Sequence, residues 1–175
     1  MTGLKVLVKQ YAADEDGWMM ATFLWRNHQH MIDQSKKKAL IEHIKQRQTA
    51  NDIEILLPPD LYFDGYEAAH CAICANNTES ISTAEFTARL QEIQERPDVS
   101  AVFVRFYDYS DAEASADCWI GSDLIYLVTR AGLDDVREWF SDFEVSDVWF
   151  EDNLAKFDGL PQVPDGFHLV AAWWD

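Results

Sequence analysis

The stretch Ile81–Tyr107 reads "ISTAEFTARLQEIQERPDVSAVFVRFY". Ser82 and Glu85 stand in the S-x-x-E spacing of a capping box, in which each side chain satisfies a backbone amide of the first helical turn. Ile81 before the cap and Phe86 four positions after it make a hydrophobic staple. Phe86, Leu90 and Ile93 then recur at i, i+4 and i+7, so one apolar stripe faces a core. Pro97 closes the helix. The run Val99–Tyr107 is β-branched and aromatic, which suits a strand.

The same order returns downstream. "DLIYLVTR" (Asp123–Arg130) reads as a strand. "AGLDDVREWFSDF" follows as a helix, with Val136, Trp139, Phe140 and Phe143 on one side. Asp134 and Asp135 in its first turn favour the helix dipole. "VSDVWF" (Val145–Phe150) closes the unit and echoes "VSAVFV" at Val99–Val104. With "HCAIC" at residues 70–74 taken as the leading strand, residues 67–151 read strand–helix–strand twice. That is the order of a ferredoxin-like β-α-β-β-α-β unit. The predicted fold class is α+β: an antiparallel sheet with helices on one face, a ferredoxin-like centre, and added N- and C-terminal strands.

Those additions are "LKVLVKQY" (Leu4–Tyr11), "IEILLPPD" (Ile53–Asp60) and "GFHLVAAWWD" (Gly166–Asp175). "WMMATFLW" (Trp18–Trp25) suits either a strand or a buried helix. Residues 33–48 predict a helix rich in lysine and arginine. A length of 175 residues fits one domain over 1–175, with a basic portion at 1–60 and an acidic portion at 61–175.

Charge narrows the partners. Residues 1–50 carry 8 Lys/Arg against 5 Asp/Glu, a net of +3. Residues 51–175 carry 6 against 26, a net of -20. Such a field repels phosphate backbones and anionic lipid surfaces, so neither nucleic acid nor a membrane is an expected partner. It attracts a basic protein and speeds the encounter. The basic helix reads first as a solvated surface face, since surface charge pairs contribute little. Docking on the acidic body of its own chain, or of a twin subunit in a homodimer, is the alternative. Three cysteines, an odd count without framework spacing, point to a reducing cytoplasm. The N-terminal residues lack the pattern of a secretory signal.

Candidate chemistry is sparse. His70, Cys71 and Cys74 form the one group with metal-ligand spacing, but a structural zinc needs four ligands. On a strand, positions 71 and 74 also point to opposite faces. His28 and His30 share a strand face without a completing ligand. The stretch "DYSDAEASAD" (Asp108–Asp117) is dense in carboxylates, yet position 6 of a calcium loop would be Glu113 where glycine is needed. No G-x-S-x-G, G-x-G-x-x-G or P-loop is present. No catalytic residue and no cofactor is therefore predicted.

The expected site is a protein-binding surface built from Asp108, Asp111, Glu113, Asp117, Trp149 and Trp174, since tryptophan on a charged surface makes an interface anchor. The predicted role is a small acidic bacterial protein of immunity or inhibitor type. A dimeric ligand-sensing domain and a metal-dependent enzyme or carrier are the alternatives.

Overall fold

A computed structural model describes residues 30–48, 53–73 and 81–175. The sequence readings at Leu4–Tyr11, Trp18–Trp25, His28 and Cys74 lie outside the described residues. The chain is mixed α+β. The α-helices among the described residues are α1 (Gln34–Arg47), α2 (Pro59–Tyr62), α3 (Thr83–Gln94), α4 (Ser110–Ala114) and α5 (Leu133–Trp139). Its strands are β1 (His30–Ile32), β2 (Glu54–Leu57), β3 (Tyr66–Ala68), β4 (Val99–Arg105), β5 (Leu124–Thr129), β6 (Asp147–Phe150), β7 (Phe157–Asp158) and β8 (His168–Trp173).

Six strands form one sheet in the order β6-β8-β5-β4-β2-β7. Every pairing in it is antiparallel except β2 with β7. Because β6 and β5 both run antiparallel to β8, they run parallel to one another. β5, α5 and β6 thus make a crossover that leaves room for β8 between its two strands.

The other half departs from the expected order. The strand before α3 is β3, and it pairs with β1 in a separate two-stranded ribbon. Residues 69–73 leave the strand in a bend, and the Cys71 amide donates to the Ile81 carbonyl at 2.7 Å. Residues 70–73 of "HCAIC" therefore follow the ribbon rather than leading the sheet. Cys71 and Ile73 are buried there, and Ala69 and His70 are exposed.

α3 begins as its local chemistry requires. Ser82 Oγ accepts from the Glu85 amide, and Glu85 Oε2 accepts from the Ser82 amide at 2.9 Å. The Ser82 hydroxyl bond holds the Glu85 carboxyl below the usual carboxylate range. Phe86, Leu90 and Ile93 are buried, as the stripe demands.

Both faces of the sheet are covered, each by a different set of elements. One cluster joins Leu40, Ile41 and Ile44 of α1, the α3 stripe, and Val136, Phe140 and Phe143 to Val102, Val104, Ile125, Leu127, Val170 and Ala172. A second cluster joins Leu56, Phe103, Leu124, Tyr126, Val128, Leu169 and Ala171. Phe157, Leu160, Val163 and Phe167 pack on this second face. β5 is consequently buried along its whole length, which its run "LIYLVT" allows. Gly159, at φ +95, lets the covering segment turn away from β7. A Cβ there would meet the Leu56 carbonyl oxygen at 2.9 Å.

Candidate functional site

The acidic stretch 108–117 is engaged by the chain's own basic helix. α1 is capped by Asp33, whose carboxylate accepts from the Ser35 and Lys36 amides. Its inner face carries Lys37 beside Leu40, Ile41 and Ile44, and its outer side carries the exposed Lys36, Lys38 and Lys45. Lys37 is buried at 5% exposure. Its ammonium donates to the carbonyls of Ser115 at 2.8 Å, Cys118 at 3.1 Å and Ala116 at 3.4 Å. These carbonyls follow α4 and have no helical amide to bond, so a three-donor ammonium suits them. Lys45 pairs with Glu113 at 2.6 Å. At the far end of α1, Arg47 pairs with Asp158 at 2.7 Å.

The predicted binding residues divide accordingly. Glu113 is tied to Lys45, and Asp108 accepts from the Ser110 hydroxyl at 2.9 Å. Asp111 and Asp117 are exposed and lie in no ion pair among the described residues. Trp149 is half-buried on the second face of the sheet. Trp174 corrects the expectation of an exposed anchor. It is 3% exposed, donates its indole N–H to the Phe143 carbonyl at 2.7 Å, and meets the rings of Phe86 and Phe140. Val170 and Ala172 of β8, and Trp174 just beyond it, face the helices, so the member of the tryptophan pair on the other face is Trp173.

A charged network on the second face was not anticipated. Arg105 pairs with Asp123 and lies 3.9 Å from Glu54. Lys156 bridges Glu54 at 3.1 Å and Glu151 at 2.7 Å. The Trp173 indole N–H donates to Asp123 at 3.2 Å, so a carboxylate of the network fixes that ring. Burial opposes ionisation of Glu151, but the bonds from Lys156 and the Asn153 amide hold its carboxyl below the usual range. Burial, aided by the Glu54 charge, pushes the Tyr126 hydroxyl up to about 12. Glu54 Oε2 and Arg105 Nε are buried and accept or donate no hydrogen bond among the described residues. The sequence did carry a trace of this network. Glu54 shares its face with Leu56, and Arg105 with Phe103, so each is a charge on an otherwise apolar side of its strand.

α5 supplies the third feature. Arg137 reaches Asp134 at 3.4 Å and Asp147 at 3.7 Å, and two carboxylates share it. Arg89 pairs with Glu92 and Asp142, and Arg96 with Asp98. Arg130 lies over the Phe167 ring at 4.4 Å. The six cations beyond residue 50 are thus all engaged within the chain. Glu138 is exposed and lies in no ion pair among the described residues.

His70 is exposed, Cys71 is buried and Cys118 is half-buried. Among the described residues no group of three or more His, Cys, Asp or Glu side chains is placed to hold a metal ion. Among them, too, no helix is long and apolar enough to cross a membrane.

Residues 35–172 match the uncharacterized protein YfbO family, and the chain belongs to that family. The matched span opens in α1 and runs into β8. No curated protein and no solved structure matches the chain.

Proposed function

We propose that this chain is a binding protein that covers a cationic surface on another protein, as an immunity protein or an enzyme inhibitor does. One observation carries the reading. Every cation beyond residue 50 is already held inside the chain, while Asp111, Asp117 and Glu138 face solvent without one. Net charge of -17 therefore stands as surface field rather than as internal pairing. Trp149 and Trp173, half-buried beside the ion network, supply rigid aromatic contact area of the kind that anchors an interface. The odd cysteine count fits action in the cytoplasm.

The test is capture from a lysate at low ionic strength with the full chain as bait, followed by elution with salt. The expected result is a basic protein that is retained by the wild type and lost by the Asp117→Lys/Glu138→Lys variant. A captured protein that is acidic, or that binds both baits equally, overturns the proposal, as does the absence of any salt-eluted protein.

A further inference from the structure

We infer that the outer edge of β6 accepts an extended cationic segment of the partner by strand addition. This rests on the binding role proposed above and names its mode. Among the described residues β6 ends the sheet, with β8 on its inner side. The Glu151 amide donates to the Leu169 carbonyl at 2.8 Å, which fixes the alternation along the strand. Asp147, Trp149 and Glu151 turn their backbone groups toward β8, and Val148 and Phe150 turn theirs outward. An exposed edge of this kind is a template for another strand unless something guards it.

Here the guard is partial and electrostatic. The outward Val148 amide donates to the carboxylate of Asp147 at 2.8 Å. The outward Val148 carbonyl receives only a long bond from Arg137, at 3.5 Å. The outward amide and carbonyl of Phe150 make no hydrogen bond among the described residues, and its side chain is 43% exposed. Phe150 is therefore the open end of the edge and Val148 the guarded end. Asp134 and Asp147 flank the guarded end and share the single Arg137, and Glu151 and Asp152 follow the open end. A strand bearing lysine or arginine would pair with Phe150 first. Its cation would then take the place of Arg137 between the two carboxylates. A second copy is the poorer occupant, because each copy brings the same net charge of -17 to the contact.

The probe is a synthetic peptide of alternating lysine and valine, titrated into the full chain by calorimetry and followed by amide hydrogen exchange. Binding that weakens with salt and slows exchange at Val148 and Phe150 is the expected result. Phe150→Pro removes the outward N–H without touching the inner ladder, where an edge proline is tolerated. It should weaken the peptide about tenfold, the loss of roughly one backbone hydrogen bond. Phe150→Leu should bind as the wild type does, and a backbone N-methylated peptide should not bind, which keeps the test valid if the proline variant folds poorly. Equal binding by an alternating glutamate and valine peptide, or protection elsewhere in the chain, overturns the inference. So does sedimentation showing that the edge is filled by a second copy. If the natural partner is lost from Asp117→Lys/Glu138→Lys but still held by Phe150→Pro, strand addition fails and the binding role stands.

Discussion

The ammonium of Lys37 lies 2.8 Å from the carbonyl oxygen of Ser115, so a charge of the basic helix closes the end of the acidic segment. Replacing Lys37 by Met keeps the apolar stem and removes all three donors. The carbonyls of Ser115, Ala116 and Cys118 then lose their shared partner. Lys37→Met should lower unfolding stability by about 1–3 kcal/mol, because the half-buried Ser115 and Cys118 residues lose a charged donor to their carbonyls, while the Ala116 carbonyl keeps the Gln34 amide. Urea denaturation measures it, and a shift indistinguishable from that of Lys38→Met, an exposed neighbour, would refute it.

Trp174 and Trp149 should separate stability from binding. Trp174→Ala opens a cavity among Phe86, Phe140 and Phe143 and should cost about 3–5 kcal/mol. Trp149→Ala, half-buried on the other face, should cost clearly less and should weaken partner capture more. The order of the two unfolding midpoints decides between them.

The Lys156 bridge predicts an acid-sensitive contribution. The Glu151 carboxyl titrates below its ordinary 4.5 in the folded chain, so the folded state favours its charged form. The stabilisation is complete above that ordinary value and disappears as the pH falls through the lower folded one. Glu151→Gln should therefore be less stable than the wild type at neutral pH, by at most about 1 kcal/mol for such a surface-edge pair. The two midpoints should converge in acid. A gap that persists unchanged at low pH would show that charge is not its origin.

Among the carboxylates of 108–117, those already paired should matter least to association. Glu113 is neutralised by Lys45, whereas Asp111 and Asp117 are not. Asp111→Asn and Asp117→Asn should each slow association with a basic partner by roughly twofold at low ionic strength, and Glu113→Gln by less. Stopped-flow or surface-binding rates at two salt concentrations read this directly. A larger loss from Glu113→Gln would mean that the Lys45 pair opens on binding.

Local chemistry made α3, α5, β4, β5 and β6 legible from sequence. The Ser82–Glu85 box and the Phe86–Leu90–Ile93 stripe act within a few residues, and no distant contact competes with them. The placement of β3 was not legible. "YEAAHCAIC" has an apolar run but nothing that chooses between the main sheet and a ribbon with β1, because strand partners are selected by distant segments. Trp173 and Trp174 failed for a related reason. Alternation shows that neighbours face oppositely, and only the covering elements determine which face is drier. The ion network required Glu54, Arg105, Asp123, Glu151 and Lys156 to converge from four separate segments, and no spacing rule spans them.

β8 is the last of the described strands to leave the ribosome, yet it belongs in the interior of the sheet. Until Leu169–Ala172 emerge, β5 and β6 lack the strand that pairs with both. Among the described strands β8 is therefore the one that completes the sheet, and a chain truncated ahead of Phe167 would leave β5 as an unpaired edge open to chaperones. Pulse proteolysis of released chains, full-length and truncated ahead of Phe167, should show protection only in the longer one.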